Sequence, residues 1–370
     1  MLNAGTSQFL DSECAKLDNF PKIAKSKNRE RITQLINLII HKAMRVKALH
    51  RKIITPVILF IALFTEGSPL HAQQEGNRSL FMYHPLAVNP GAAGMLGFTS
   101  YTLEHRSQWV GFKGAPTMQT ASISTPALSD RLGFGLMLQN RRVGIFETQT
   151  VAMSWAYSMI KTEHLNCRVG LQGVVRRTSL RFNDLEEAAM FANDRSVVPT
   201  VSSRYVSNFG AGLYITYKEA FFGVSVPSYL PNVLGINPFS SITAAESAHY
   251  YTQAGVSFRL TEGIKIKPSG MFKYVRNAPW SVDGNVSMEV KQKITIGLSY
   301  RVGRTTFETI GESADLLLFF KLNDNLSIGC AYDLLLGPVS QYSRGSAEVM
   351  IRYDVKQKKE VVFSNPRSFF

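Results

Sequence analysis

The sequence is poor in cysteine, in charge and in long apolar runs. Its 3 cysteines in 370 residues are too few for a disulfide-stapled small domain or a multi-cysteine zinc module. Only 18% of the residues are charged, whereas an ordinary soluble domain has about 25%. Because 45% of the residues are apolar, the low charge does not indicate a disordered chain. No apolar run reaches the roughly 18 residues of a transmembrane helix, which excludes a polytopic helical membrane protein.

The first 72 residues have the pattern of targeting sequence. A basic cluster over 45–52 precedes the apolar run Ile53–Phe64, and Ala72 provides the small residue expected before a signal-peptidase cut. As a helix this run spans about 18 Å, too short for a bilayer core of about 30 Å. We therefore predict a cleaved signal peptide over 44–72, preceded over 1–43 by a mis-called N-terminal extension. This prediction prefers Met44 over Met1 as the start.

From residue 99 onward, apolar residues alternate with polar residues or glycine, which is the period of a β-strand. The pattern predicts fourteen strands, at 99–109, 116–126, 131–140, 148–160, 165–178, 205–217, 219–227, 249–260, 263–275, 283–291, 293–302, 314–322, 325–335 and 345–354. Strands of soluble proteins cluster at about five or six residues, and a tilted transmembrane strand needs about nine to eleven. The predicted lengths therefore favour strands that cross a membrane.

The predicted connections alternate between long and short. Those after odd-numbered strands run from 6 to 26 residues and those after even-numbered strands from 1 to 4, so every odd connection exceeds every even one. Outer-membrane barrels have short periplasmic turns and longer outer loops. We therefore predict an all-β fold over 99–354, a transmembrane antiparallel β-barrel of outer-membrane type with about fourteen strands. The segments 73–98 and 355–370 are then periplasmic or lie in the lumen, which needs either water or a plug to fill it.

Residues that could carry chemistry are few. His105 and Ser107 lie two apart on one face of the first strand, as in an outward-facing lipid hydrolase, but no motif supplies a polar residue to orient the imidazole. The histidines and cysteines beyond residue 72 lack metal-ligand spacing. We therefore predict no catalytic, cofactor-binding or metal-binding residues and no enzymatic activity. The inward arginines and lysines leave two interpretations open: selection of an anion, or charges balanced by neighbouring acids.

Several short motifs resemble those of one family. They are NPGAAG at 89–94, RSQWVGFKGAP at 106–116, PSGMFKY at 268–274, GLSYR at 297–301, AYD at 331–333, GSAE at 345–348 and NPR at 365–367. Together they are similar to the signatures of the PorP/SprF family of type IX secretion system outer-membrane proteins, over about residues 75–370. At position 347 the sequence has Ala where the family usually has His. The candidate family-motif or partner-contact residues are Asn89, Pro90, Gly94, Arg106, Gln108, Trp109, Gly111, Gly114, Pro116, Asp333, Gly345, Ser346, Glu348, Pro366 and Arg367.

The resemblance implies a non-enzymatic outer-membrane component that supports secretion or surface anchoring of exported proteins and, in some members, gliding motility. The implied partners are type IX components including a periplasmic peptidoglycan-binding lipoprotein, the C-terminal domain of secreted proteins, and membrane lipid, but no nucleic acid. We expect the outer loops 179–204 and 228–248 to receive the exported protein and the basic tail 355–370 to contact periplasmic partners. On the residues alone, a passive outer-membrane channel or porin for small solutes is the alternative, because it needs only an open lumen.

Overall fold

The computed structural model describes residues 76–127, 131–180, 203–230, 232–234, 244–276, 280–303, 312–336 and 338–355. The predicted extension, the signal peptide and the tail beyond Val355 lie outside these residues. No helix in the described part of the chain is long and apolar enough to cross a bilayer.

Strands make up most of the described chain. They are β1 (Thr99–Ser107), β2 (Thr117–Pro126), β3 (Leu132–Val143), β4 (Phe146–Lys161), β5 (Leu165–Leu180), β6 (Ser203–Tyr217), β7 (Ala220–Val226), β8 (Asn232–Leu234), β9 (Ala244–Glu246), β10 (His249–Val256), β11 (Phe258–Thr261), β12 (Ile264–Val275), β13 (Ser281–Val290), β14 (Ile294–Gly303), β15 (Ser313–Lys321), β16 (Leu326–Leu335) and β17 (Ser346–Val355). Every predicted strand is present, with ends that differ by a few residues. The short strands β8 and β9 pair only with each other, within the predicted outer loop 228–248.

The main sheet closes on itself as an antiparallel barrel. β1 pairs with β2 on one side and with β17 on the other, so the first and last strands meet. β10 and β11 form one wall strand interrupted at Ser257, because both pair with β12 while β10 also pairs with β7. Counted in this way the wall has fourteen strands, as predicted. Closure leaves no free edge, and a sheet in lipid needs this because the hydrocarbon core offers no water to its backbone.

The two faces of the wall differ as the alternation predicts. Apolar side chains on the outward face are exposed, such as Leu171 at 62% and Leu298 at 67%. Inward positions carry buried polar and charged side chains, among them Arg168 at 3%, Gln253 at 1% and Arg301 at 3%. A barrel in lipid has this inverted arrangement, in which apolar residues face acyl chains and polar residues face the lumen.

One predicted connection is wrong. The alternation predicts a seven-residue loop over 141–147, but pairing between β3 and β4 continues from Arg141 opposite Thr148 up to Val143 opposite Phe146. Only Gly144 and Ile145 connect the two strands, and Gly144 has the left-handed φ of 56° that such a tight turn favours. The rule that every odd connection exceeds every even one therefore fails here, because 144–145 is shorter than the connection 127–131 between β2 and β3. We call the rim that carries 108–116, 181–202 and 227–248 the loop rim and the opposite rim the turn rim.

A chain segment passes through the barrel. Residues 76–98, which we call the inner segment, contain three single-turn 3₁₀ helices at Phe81–Tyr83, Pro85–Ala87 and Pro90–Ala92. The main apolar core of the protein consists of side chains of this segment packed on inward-facing side chains of the wall, listed here as Leu80, Phe81, Met82, Tyr83, Val88, Ala92, Met95, Tyr214, Phe221, Tyr251, Met271, Leu317, Phe319, Ala331 and Met350. The core of this barrel is therefore inside the lumen.

Candidate functional site: the filled lumen

The inner segment runs from the loop rim towards the turn rim. At its start, a Cβ on Gly76 would lie 3.6 Å from the sulfur of Met118. In the strand register Met118 of β2 is opposite Arg106, near the loop-rim end of β1. At its end, Gly94 donates its backbone N–H to Ser124 Oγ at 2.9 Å, near the turn-rim end of β2. The segment thus spans most of the lumen before it enters β1 at Thr99.

Arg106 lies at the centre of the contact between the inner segment and the wall. Its guanidinium donates to Asp333 Oδ2 at 2.5 Å and to Glu348 Oε2 at 2.9 Å, and to Ser79 Oγ at 3.1 Å. Ser79 in turn donates its hydroxyl to Asp333 at 2.7 Å and its backbone N–H to Glu348 at 2.8 Å, and the N–H of Leu80 reaches the other oxygen of Glu348 at 3.1 Å. All of these side chains are at most 3% exposed. Residues of β1, β16 and β17 therefore hold the inner segment through charge-assisted hydrogen bonds, which are the stronger kind.

Arg301 on β14 extends this cluster around the wall. Its Nε donates to Asp283 Oδ1 at 2.5 Å, and its other nitrogens lie 3.7 Å from Asp315 and 3.7 Å from Asp333. Asp333 thus lies between the two arginines. Of the two interpretations of the inward cations, balance by neighbouring acids describes Arg301, because three carboxylates surround it.

A second charged contact involves Arg78 and His84, which lie on either side of Ser79 in the inner segment. Arg78 donates to Glu104 of β1, and His84 Nδ1 lies 2.9 Å from the other oxygen of the same carboxylate. The second ring nitrogen of His84 lies 2.8 Å from Ser122 Oγ on β2. Glu104 is 5% exposed, and this one buried carboxylate therefore contacts two side chains of the inner segment.

Aromatic packing adds to these bonds in the middle of the segment. The Tyr83 ring stacks on Phe319 with their centroids 4.3 Å apart. The Arg352 guanidinium lies over the Phe319 ring, 5.5 Å from its centroid, and donates a hydrogen bond to the Tyr83 carbonyl at 3.4 Å. This arrangement fills the lumen beside β15 and β17 with apolar surface that an open channel would leave in water.

The motif at 89–94 contacts the wall through its backbone. The Asn89 side chain accepts from the Gly91 N–H at 2.8 Å and donates to the carbonyls of Leu213 at 3.0 Å and Val224 at 3.3 Å. Wall glycines make room for this approach: a Cβ on Gly170 would lie 2.3 Å from the Gly91 nitrogen. Arg168 donates to the Ala93 carbonyl at 2.6 Å and to Ser158 Oγ at 2.8 Å. Asn89 therefore satisfies buried backbone of both the motif and the wall, and Arg168 of the wall satisfies the Ala93 carbonyl.

The motif at 106–116 turns away from the lumen after Arg106. Trp109 has a left-handed φ of 53° and donates its N–H to Ser346 Oγ at 3.2 Å, and Val110 donates to the Gly345 carbonyl at 2.7 Å. Further bonds of this connection run from the Gln108 N–H to the Pro116 carbonyl at 2.9 Å and from the Gly144 N–H to the Gly114 carbonyl at 2.8 Å. Gly111 and Gly114 have φ of 95° and 75°. These residues order the loop rim and do not join the charged cluster.

The candidate residues therefore divide into three groups. Arg106, Asp333 and Glu348 meet in the charged cluster; Asn89, Pro90 and Gly94 belong to the inner segment; the remainder, apart from Pro366 and Arg367, shape the loop rim. Pro366 and Arg367 lie outside the described residues. Sequence reasoning missed Ser79, Arg78, His84 and Glu104 as site residues. The inward parity of Glu104 on β1 could have indicated it, but no pattern in the sequence marks the three residues of the inner segment.

The His105 and Ser107 side chains lie within hydrogen-bond distance of each other. His105 Nε2 lies 3.1 Å from Ser107 Oγ on the outward face, and among the described residues no carboxylate bonds to the His105 ring. No group of three or more His, Cys, Asp or Glu side chains in the described part could hold a metal ion.

The fold and the site together define a class: an outer-membrane-type β-barrel whose lumen is filled by the segment that precedes its first strand. Sequence comparison is more specific. The model of the family described as "Type IX secretion system membrane protein PorP/SprF" matches residues 70–353, and the chain belongs to this family. The resemblance carried by the short motifs is thereby confirmed. No curated protein matches the chain.

Solved outer-membrane proteins are similar in structure at low identity. The Ralstonia pickettii toluene transporter TbuX is 12% identical with a TM-score of 0.43, over 80% of this chain and 99% of that one. The P. putida toluene transporter TodX is 9% identical with a TM-score of 0.42, over 73% and 93%. The Acinetobacter baumannii outer membrane protein Omp33 is 5% identical with a TM-score of 0.40, over 70% and 98%.

Proposed function

We propose that this protein is a closed docking component of the type IX secretion system in the outer membrane, which supports secretion or surface anchoring of exported proteins and, in gliding cells, motility. Family membership supports the association with secretion. The observation that carries the docking role is the filled lumen: residues 79 to 84 are at most 4% exposed, and charged wall residues bind them. Because the lumen is filled, partners of such a barrel bind at its rims and nothing passes through a pore.

The two rims would then have different partners. The outer loops 179–204 and 228–248 receive the C-terminal domain of the exported protein, since the loop rim carries the longest connections. The tail 355–370 contacts periplasmic components, including the peptidoglycan-binding lipoprotein, because it follows β17 on the turn rim and carries Lys356, Lys358 and Lys359. A cleaved signal peptide over 44–72 delivers the chain to this location.

Export in cells tests the role directly. Cells that lack this chain should retain proteins carrying the type IX C-terminal domain in the periplasm, and the wild-type gene should restore them to the surface. Immunoblots of periplasmic and surface fractions measure the distribution. Normal export without the chain would contradict the proposal.

The tail has a separate test. Deleting residues 356–370 should leave barrel assembly intact, seen as a heat-modifiable band on a gel, but weaken co-purification with periplasmic partners. The control replaces the same residues with an uncharged linker of equal length, which should behave like the deletion. Unchanged co-purification would show that the tail is not the contact.

Planar-bilayer conductance distinguishes the rival function. A passive channel requires a continuous aqueous path, and the described lumen contains the inner segment along most of its length. The wild-type chain should therefore give no large steady current. A large, steady current from intact protein would favour the channel.

A further inference from the structure

A concavity of about 510 Å³ lies on the outward face of the wall, across β1 to β4. This volume is within the range of about 300–1,000 Å³ that small-molecule sites occupy. The strand registers place its lining in two parallel rows. One row is apolar and lies nearer the turn rim: Leu103, Ala121, Leu138 and Val151. The next row, nearer the loop rim, is polar: His105, Gln119, Asn140 and Gln149.

The apolar row is concave because of one small side chain. Ala121 lies between Leu103 and Leu138, which are 57% and 48% exposed and project from the wall on either side. Ile351 of β17, 42% exposed, extends the apolar wall past Leu103. The result is an apolar depression in a surface that faces acyl chains.

The polar row borders that apolar surface on the side of the loop rim. Gln119 and Gln149 are exposed on the outward face, and a side-chain amide in an apolar surrounding needs a hydrogen-bond partner. The neighbouring His105 is already bonded to Ser107 at 3.1 Å. A ligand that suits both rows has an apolar chain and, at one end of it, oxygens that accept hydrogen bonds.

We infer that this concavity binds one acylated membrane lipid of the leaflet at the loop rim. Its acyl chain lies on Ala121 between Leu103 and Leu138, and the oxygens of its acyl linkage accept from the side-chain amides of Gln119, Asn140 and Gln149. We choose a lipid as the occupant because the concavity lies on the outward face of a membrane barrel, which contacts lipid. The inference goes beyond the role in secretion, and a barrel with no part in export would bind the lipid equally well.

Photo-cross-linking tests the site. The full chain is reconstituted into phosphatidylethanolamine vesicles that contain a small fraction of phosphatidylethanolamine with a diazirine on its acyl chain. After irradiation, peptide mass spectrometry should find cross-links concentrated on β1 to β4. Ala121→Trp fills the depression and should abolish this concentration, whereas Ala211→Trp, at an outward alanine on β6, should leave it unchanged. Heat modifiability on a gel verifies that both variants form barrels.

A second variant separates the polar row from the shape. Gln119→Leu combined with Asn140→Leu keeps the depression but removes two of its three amide donors, and most of the concentrated cross-links should be lost. Cross-links spread evenly around the wall, or unaffected by Ala121→Trp, would overturn the inference. Cross-links between two protein chains through this face would also overturn it, because the occupant would then be protein.

Discussion

Replacing Arg106 by methionine tests the most buried part of the lumen. Methionine keeps much of the side-chain length but leaves Asp333 and Glu348 facing each other without the cation that now bonds both, at 2.5 and 2.9 Å. Ser79 still donates to both acids, and Leu80 to Glu348, so neither carboxylate is left without a hydrogen bond. The variant therefore probes the charge balance more than the hydrogen-bond count.

The size of the effect follows from burial. Arg106 is 2% exposed, Asp333 0% and Glu348 1%, and breaking a buried ion pair by removing one partner costs about 3–5 kcal/mol. Because Ser79 and Leu80 still donate to the acids, we expect the lower end, about 3 kcal/mol. At 1.4 kcal/mol for each power of ten, this is roughly a hundredfold shift in the unfolding equilibrium.

Urea unfolding in phospholipid vesicles, followed by tryptophan fluorescence, measures the change. Arg142→Met is the matched control: it removes an ion pair to Glu147 at 3.0 Å whose arginine is 49% exposed, and such pairs contribute at most about 1 kcal/mol. Combining Arg106→Met with Asp333→Asn and Glu348→Gln removes the uncompensated charge and should recover much of the loss. If Arg106→Met costs no more than Arg142→Met, or if the triple variant is no more stable than the single one, the cluster does not hold the inner segment as argued.

Three further outcomes are expected. Gly170→Ala places a Cβ 2.3 Å from the backbone nitrogen of Gly91, so it should displace the inner segment and raise planar-bilayer conductance, whereas Gly173→Ala, with nothing within 4 Å, should do neither. Asn89→Ala removes three hydrogen bonds to buried backbone and should lower unfolding stability by about 1–3 kcal/mol, which urea titration would reveal; an unchanged midpoint would contradict this. Ser107→Ala should leave any hydrolysis of a short-chain ester by the purified barrel unchanged, and a loss would restore the lipid-hydrolase interpretation.

The wall could be predicted from the sequence because its information is local. Successive side chains of β5 point to opposite faces of the sheet. The alternation alone therefore predicts that Leu171 faces outward and Gln172 inward, without knowledge of the neighbouring strand. Strand length then distinguishes a membrane barrel from a soluble sandwich. Both the alternation and the strand length can be read from residues that are close in sequence. This is why all fourteen wall strands were predicted with small errors at their ends.

The turn between β3 and β4 shows where local information fails. Arg141, Arg142, Thr148 and Glu147 are polar, and thus the alternation of apolar residues ends before the strands do. The strands continue because their backbones pair across Gly144 and Ile145. Hydrogen bonding between strands does not require the apolar pattern once the outward face leaves the lipid, and a pattern-based boundary therefore ends too early.

The contents of the lumen could not be predicted for a different reason. Arg106 and Asp333 lie 227 positions apart, and Ser79 and Glu348 lie 269 apart. The motifs mark Arg106, Asp333 and Glu348 individually, but only closure of β1 on β17 brings them together, and only the path of the inner segment adds Ser79. The segment itself has neither strand nor helix periodicity, because its single-turn 3₁₀ helices are too short to produce any.

The contacts that stabilise this barrel are therefore the same contacts that keep its lumen filled. The described outward face carries exposed apolar side chains, whereas the apolar core lies between the inner segment and the wall. Removing the segment would expose that core to water and deprive Glu104 of Arg78 and His84, and Glu348 of two backbone donors. A lumen whose acids are satisfied by the inner segment is costly to open, because each buried group would have to find a new partner. A role in which the rims bind partners while the lumen stays filled agrees with these energetics, and a freely open pore does not.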